Sequence, residues 1–493
     1  MITEPLLNRN SPESQGIASS AVLRFVEALE SQIHEIHSFM LLRHGDVVAE
    51  GWWSPYGRES PHMLYSVSKS FTATAVGLAL TEGYFAIDDL VLPFFPDEAP
   101  IEPNDFLSAM TVRHLLSMST GHAEDTFPYM VDRPDGNWIK GFFGVPVLHA
   151  PGTHFLYNTG ATYILSAIVQ KATGMKLIDY LEPRLFEPLG IEKATWEEST
   201  QGFAVGGYGL SVKTEDIAHF GQLYLQKGMW QGNRILPEAW VEAATTTQIS
   251  NGNSSAQNDA TQGYGYQFWR SRHNSYRGIG VFGQYCIVMP DQDVVIVMTG
   301  GLDIFDAYQP LDLIWEILLP AMQADALPDD AQAHDALTKK LSGLNMAPVQ
   351  GHAASSILPQ VSGRTYAVDA NVFEIETVTL DFTVSGCTVT IKTAAGEETF
   401  PCGYGVWQRG QTALFNDSRW FSDAPQPVAV SGAWTADDCF TMVVRLYETP
   451  FFHTLLYHFV GDELLLEMRV NVTFDSTRPL LLTAHHQHSQ LLT

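Results

Sequence analysis

Positive charge is scarce in this chain. Its 493 residues hold 27 Lys and Arg against 55 Asp and Glu, a formal net charge of −28, and a surface of that sign repels phosphate backbones and anionic lipid surfaces alike. Nucleic acid and membrane are therefore excluded as expected partners, and the acidity reads as a solvated surface. Charged residues of either sign make up only 17% while 45% are hydrophobic, the reverse of the composition that keeps a chain disordered. Cysteine is rare as well. Cys286, Cys387, Cys402 and Cys439 lack the paired spacing of a metal site, so reduced thiols are expected and disulfides are not. No apolar run approaches the ~18 residues of a membrane span. The N-terminal MITEPLLNRNSPESQG has neither the basic start nor the apolar segment of a secretory signal, which makes a soluble, cytoplasmic protein the expectation. The histidines at 485, 486 and 488 read as a frayed tail, and neither a metal nor a cofactor is called for.

What is present suffices for two domains, since single cores stop growing near ~250–300 residues. From Ser20 to about 325 helical and strand-like patterns alternate: an amphipathic helix over Ser20–Ile33, apolar strands His37–Arg43 and Val47–Trp53 around a Gly45-Asp46 turn, and helices over Tyr65–Gly83, Thr111–Met118, Thr159–Thr173 and Thr214–Lys227. Strands are expected again over Gly263–Arg270, Arg277–Val288 and Val294–Gly300, with a closing helix Leu311–Leu319 stopped by Pro320. Residues 326–358 have the Ala, Asp, Pro, Gly and Ser composition of a linker around one modest helix, Asp329–Leu341. Residues 359–493 are short β-rich runs between turn signals, among them Phe373–Thr383, Thr388–Thr393, Phe440–Tyr447 and Glu463–Val472. The expected organisation is an enzyme-like domain over 1–325, a linker, and an all-β domain over 359–493, barrel or sandwich.

The sharpest chemical signal is Ser66-Val67-Ser68-Lys69 at the head of an apolar helix. A spacing of three puts both side chains on one face, within hydrogen-bond reach, and burial of the lysine disfavours its ammonium and frees a base for the serine proton. The helix N-terminus adds a backbone N–H where an oxyanion would form. Such a tetrad recurs by chance, so context decides its weight. Context comes from Pro151-Gly152-Thr153-His154-Phe155-Leu156-Tyr157-Asn158-Thr159-Gly160, a turn that delivers a tyrosine just before a long helix. A phenol beside an ammonium has its ionised form stabilised, which suits Tyr157 to relay a proton from nucleophile to leaving group.

Together with further stretches in the same order, 111–122 (TVRHLLSMSTGH), 82–89 (EGYFAIDD), 185–191 (LFEPLGI), 206–211 (GGYGLS) and 282–290 (FGQYCIVMP), these motifs resemble the β-lactamase-related serine hydrolases: class C β-lactamases, penicillin-binding proteins, D-amino-acid peptidases, family VIII esterases and nylon-oligomer hydrolases. The resemblance covers roughly residues 10 to 322. It implies an α/β sandwich, an antiparallel sheet flanked by helices with an inserted helical lobe, followed by the C-terminal β domain, which is compared with a lipocalin-like barrel. It further implies that Ser66 is acylated, that Lys69 is the general base and that Tyr157 is the tyrosine of the family's Y-x-N element. Aligned on the family, the Ser66 and Val281 amides form the oxyanion hole, and Asn158, Thr159 and Gly280 are the candidate substrate contacts.

Two departures shape the expected activity. Here Y-x-N is Tyr157-Asn158-Thr159, so the amide that binds a substrate carbonyl is displaced by one residue or replaced by a hydroxyl. The K-T-G strand is replaced by Tyr276-Arg277-Gly278-Ile279-Gly280-Val281, where only Arg277 could hold a substrate carboxylate, given a side chain that faces the cleft. Glycines 278, 280 and 283 fit close approach of substrate or, equally, a packing requirement. His114, His122 and His154 read as structural, and Asp125, Tyr129, Trp138 and Lys140 lie in a loop able to line a pocket. The expectation is an esterase or amidase working through an acyl-enzyme on a small molecule or short peptide, ahead of a true β-lactamase. The alternatives are a penicillin-binding-like sensor or binding module, or a D-amino-acid peptidase. The β domain is open to two roles, a gate over the cleft or a homodimer interface.

Overall fold

The computed structural model describes residues 6–256, 258–415, 424–474 and 476–487. The chain divides into two compact units, Met1–Trp52 with Arg58–Gly343, and Trp53–Gly57 with Leu344–Thr493.

In the first unit β1 (Ile36–Arg43), β2 (Asp46–Trp52), β3 (Trp269–Arg270), β4 (Tyr276–Gly280), β5 (Gln284–Met289) and β6 (Val294–Gly300) make one antiparallel sheet in the order β2-β1-β6-β5-β4-β3. Its main helices are α1 (Ser19–Ala28), α2 (Ser68–Thr81), α3 (Thr159–Thr173), α4 (Thr214–Leu225) and α5 (Ala331–Ser342). Every residue of β1, β5 and β6 is buried, which is why these strands are continuous apolar runs: both faces of the sheet are covered. Residues opposed in register share a face. Met40, Val297 and Cys286 line one side and Phe39, Met298 and Tyr285 the other. The first side takes α4, whose Gly221 lies so close that a Cβ would fall 2.6 Å from Val295 and 3.0 Å from Cys286. The second takes α1, where Phe25 meets Phe39 at 6.2 Å between ring centroids. Helices α2 and α3 belong to the lobe between β2 and β3 and pack on each other. Both are buried almost all round, and α3 ends where the sequence places its stop, at Gly174 with φ 71° and its N–H bonded to the Gln170 carbonyl.

Several expectations are corrected. Arg277–Val288 is not one strand but the hairpin β4–β5, broken at Val281-Phe282-Gly283 because Phe282 and Gly283 take left-handed φ of 65° and 95°. Only Trp269–Arg270 of the expected strand Gly263–Arg270 is extended in the sheet; Gly265 is pressed against the backbone of Ala244, 2.1 Å from a Cβ position. The region expected as a linker over 326–358 is shared: α5 packs on α1 in the first unit, and residues from Leu344 onward belong to the second.

In the second unit ten strands, β7 (Thr365–Val368), β8 (Ile375–Phe382), β9 (Gly386–Thr393), β10 (Gly396–Gly403), β11 (Gln408–Thr412), β12 (Gln426–Ala436), β13 (Cys439–Arg445), β14 (Phe452–Val460), β15 (Glu463–Val470) and β16 (Leu480–His486), form a barrel. The first and last strands pair, and β10 closes on β12 through the parallel pair Gly403 and Ser431. Strands alternate inward and outward, as in β14, and the interior is filled by residues such as Tyr366, Phe382, Phe400, Trp434, Phe440 and Tyr457. Among the described residues the count is ten, two more than a lipocalin barrel has. His485 and His486 are part of β16, paired with Ala367 and Tyr366, so they are not a frayed tail; His488 lies outside the described residues. All four cysteines are free and buried.

Trp434 is 1% exposed and meets Phe382, Phe440 and Phe459 at 5.1, 5.5 and 5.7 Å. Trp434→Ala is expected to destabilise the barrel by about 3–5 kcal/mol, read as a lower urea midpoint for the barrel transition.

Candidate active site

Between His62 and Ala79 a single residue escapes full burial, and it is Ser66. It sits in a tight 3₁₀ turn, Tyr65–Val67, that runs into α2. Tyr65 before it is held at φ 47°, a conformation that costs a non-glycine residue about 1 kcal/mol or more and persists only when its surroundings impose it. Part of the imposition is visible: the Tyr65 ring packs edge-on against Phe282, itself left-handed, at 5.4 Å. The turn carrying Ser66 and the hairpin turn carrying Val281 are thereby locked together. Gly280 completes the junction, because a Cβ there would fall 2.2 Å from the Leu64 carbonyl oxygen, and Gly278 faces Ser70 and Val67. The packing alternative for these glycines is the one the structure supports, and Gly280 is buried. The Ser66 and Val281 amides, expected as oxyanion donors, lie on the two segments that meet here.

Lys69 is 1% exposed. Its Nζ donates to Ser66 Oγ at 3.0 Å, to the Gly207 carbonyl at 2.8 Å and, at 3.5 Å, to Thr159 Oγ1. Burial lowers the amine from 10.5 to about 7, against the opposing charge of Asp125, so near neutrality a substantial fraction is unprotonated and able to take a proton. Nζ also lies 4.9 Å from the centre of the Tyr157 ring. Burial pushes the Tyr157 phenol above its ordinary value, while hydrogen bonds to Ser66 and Trp269 pull the other way. The expectation of a stabilised phenolate is thus corrected: burial favours the neutral phenol of Tyr157, which lies near Ser66. Trp269, Tyr264 and Tyr157 pack as one aromatic group, with Tyr157 and Trp269 at 5.2 Å.

The two residues after Tyr157 go separate ways. Asn158 is fully buried, and its Oδ1 accepts from the N–H and hydroxyl of Thr126 at 3.2 and 2.8 Å. It clamps the loop instead of presenting its carbonyl oxygen to substrate. Thr159 is the one that turns to Lys69, and its N–H donates to Asp125 Oδ1 at 3.0 Å. Arg277 does not face a cleft: it is 0% exposed, with its guanidinium given to the carbonyls of Arg270 and Asp259 and to Ser271.

A sequence profile described as Beta-lactamase matches residues 27–301, more than half the chain. The chain belongs to the beta-lactamase family. Within this family of hydrolases it is 25% identical over 315 residues to the 6-aminohexanoate-dimer hydrolase of Paenarthrobacter ureafaciens, an alignment covering 58% of this chain and 78% of the relative. Among solved structures it is similar to EstCE1, a hydrolase with promiscuous acyltransferase activity (TM-score 0.50, 18% identity, 60% of this chain and 97% of the other). It is also similar to a candidate beta-lactamase from Bacteroides dorei (TM-score 0.51, 16% identity, 60% and 98%). At these identities the two structures show the fold. No helix among the described residues is long and apolar enough to cross a membrane.

Set against the beta-lactamase family pattern, the structure brings Ser66, Lys69, Tyr157 and Thr159 together and sets Asn158 and Arg277 aside. His114 caps a helix through Thr111, His122 is buried against Thr120 and lowered to about 4 by burial, and His154 is exposed beside His149. Tyr129 and Lys140 are exposed, and Trp138 is buried between Phe127 and Tyr163. Asp125, Trp269 and the Gly207 carbonyl are the site members that sequence reasoning passed over or left unassigned. Gly280→Ala is expected to drive β4 away from Leu64 and slow reaction of Ser66 with a fluorophosphonate by at least roughly tenfold, with the barrel's thermal transition unchanged.

Proposed function

We propose that this beta-lactamase-family hydrolase works through an acyl-enzyme on Ser66 and cleaves an ester or amide bond of a small molecule or short peptide. The observation that carries the reading is the 3.0 Å contact between Ser66 Oγ and a buried lysine whose amine sits at about 7. Lys69 takes the Ser66 proton as Oγ attacks the carbonyl. The Ser66 and Val281 amides receive the oxyanion. The proton passes from Lys69 or Tyr157 to the departing alkoxide or amine, and the same pair then takes a proton from the water that releases the acid.

An esterase or amidase ranks above a lactamase here for two reasons of charge and shape. The strand beside the nucleophile carries no lysine, and its single cation, Arg277, is spent inside the protein. A penicillin carboxylate therefore has no partner on that strand. Thr159 holds the third position of the motif, which the family fills with an amide, and its hydroxyl rotates to donate or accept where an amide has fixed donor and acceptor ends. The 6-aminohexanoate-dimer hydrolase, whose name specifies a dimer of an amino acid as what it hydrolyses, is a relative in keeping with the amide half of this ranking.

The test is intact-mass analysis with a fluorophosphonate on wild type and Ser66→Ala, beside turnover of p-nitrophenyl esters, nitrocefin and D-alanyl anilides. One adduct, lost in the mutant, with ester turnover exceeding that of nitrocefin, is expected. Labelling should fall with acid through a midpoint near the Lys69 value of about 7, because below it the amine already holds a proton and accepts none. Folded protein with no adduct and no turnover would leave a non-catalytic binding module as the reading.

A further inference from the structure

The buried amine of Lys69 must carry a full positive charge each time it takes the serine proton, and a buried cation needs an opposing charge. Among the described residues the titratable groups set against it are few. The loop before α3 offers Tyr157, a phenol below Nζ. The segment after Ala204 offers Lys69 the Gly207 carbonyl, and beyond it Tyr208 and Glu197 act on each other. Helix α3 offers the Thr159 hydroxyl, and strand β4 meets α2 through Gly278. The opposing charge felt by Lys69 comes from Asp125, in the loop between the 112–116 and 127–131 helices.

Its geometry gives Asp125 a second duty. Oδ1 accepts the N–H of Thr159 at 3.0 Å and the N–H of Phe127 at 3.0 Å. Thr159 is the first residue of α3, and Asn158 before it makes no side-chain cap, so one of the N–H groups left unpaired by the helix start is satisfied from another loop. A negative charge at that end is favoured by the helix dipole as well. Thr126, the next residue, fixes Asn158 in the same clamp. The Tyr157-Asn158-Thr159 element is thus held by 125–126, and the shift of asparagine from the third to the second place of the motif is what makes the clamp possible.

Resting on the acyl-enzyme reading above, we infer that Asp125 is a positioning residue of the reaction: it fixes Thr159 against Lys69 and supplies the countercharge that lets Lys69 hold the proton taken from Ser66. The charge and the clamp are separable. Asp125→Asn keeps an oxygen for the two N–H donors and removes the charge, whereas Asp125→Glu keeps the charge and displaces the oxygen.

The experiment is the fluorophosphonate labelling rate from pH 5 to 10 on wild type, Asp125→Asn and Asp125→Glu, with folding checked by circular dichroism. In Asp125→Asn the acidic midpoint falls by on the order of one pH unit, because the ammonium loses its partner, and the alkaline plateau drops several-fold, because a weaker base accepts the proton less readily. In Asp125→Glu the midpoint stays near wild type while the plateau falls. A purely structural Asp125 would lower labelling evenly across pH in both variants, and an unmoved midpoint in Asp125→Asn, or a midpoint in Asp125→Glu shifted by a full unit, overturns the inference. Wild type that shows no Ser66 adduct at any pH would instead overturn the acyl-enzyme reading on which it rests.

Discussion

The constraint around which the first unit is arranged is the burial of one amine. Moving Lys69 from an ordinary value of 10.5 to about 7 is a preference for the neutral form on the order of 5 kcal/mol, supplied by desolvation. The sign of its effect on folding is unfavourable at physiological pH. Above about 10.5 the lysine is neutral folded and unfolded, and the penalty is absent; as pH falls toward 7 the unfolded chain gains a proton that the folded one refuses, and the penalty is complete below that value. A structure that keeps such a group does so against stability, and the surroundings of Lys69 are built to hold it. Three acceptors converge on Nζ, a strained Tyr65 precedes Ser66, Gly207 lets its segment close on Thr159 and Lys69, and glycines at 278 and 280 let the strand close on Val67 and Leu64.

Much of this was legible in the sequence because it is local. Ser66 and Lys69 are one helical turn apart, and the apolar run after them predicts a buried helix, so their contact follows from spacing alone. The strands β1 and β6 were readable as continuous apolar runs, and the barrel strands by their alternation. Pairing across long distances in the chain was not readable. The choice between Asn158 and Thr159 is made by Asp125 and Thr126, more than thirty residues earlier, and no periodicity marks that loop. Arg277 carries the same letter whether it faces a cleft or a buried carbonyl, and only the placement of Asp259 and Ser271 decides. The ten-strand count and the closing pair of Gly403 with Ser431 depend on register, which turn signals do not give.

The departures from the beta-lactamase family pattern form one connected change. Moving asparagine inward turns a substrate contact into a loop clamp and leaves a hydroxyl facing the lysine. Losing the strand lysine removes the partner for a substrate carboxylate. On the proposed reading both changes relax the demand for an anionic substrate, while Ser66, Lys69 and Tyr157 stay together. Tyr157 fits the same proposal: a phenol held above its ordinary value keeps a proton to give, and an alkoxide or amine leaving group is what the proposed ester or amide would supply.

The claim on which all of this turns is that Lys69 is a neutral base near physiological pH. It is tested most directly by titrating its 13Cε resonance in lysine-labelled protein, assigned by its loss in Lys69→Met. A midpoint near 7 is the predicted result; a resonance that stays that of an ammonium beyond pH 9 would contradict the account.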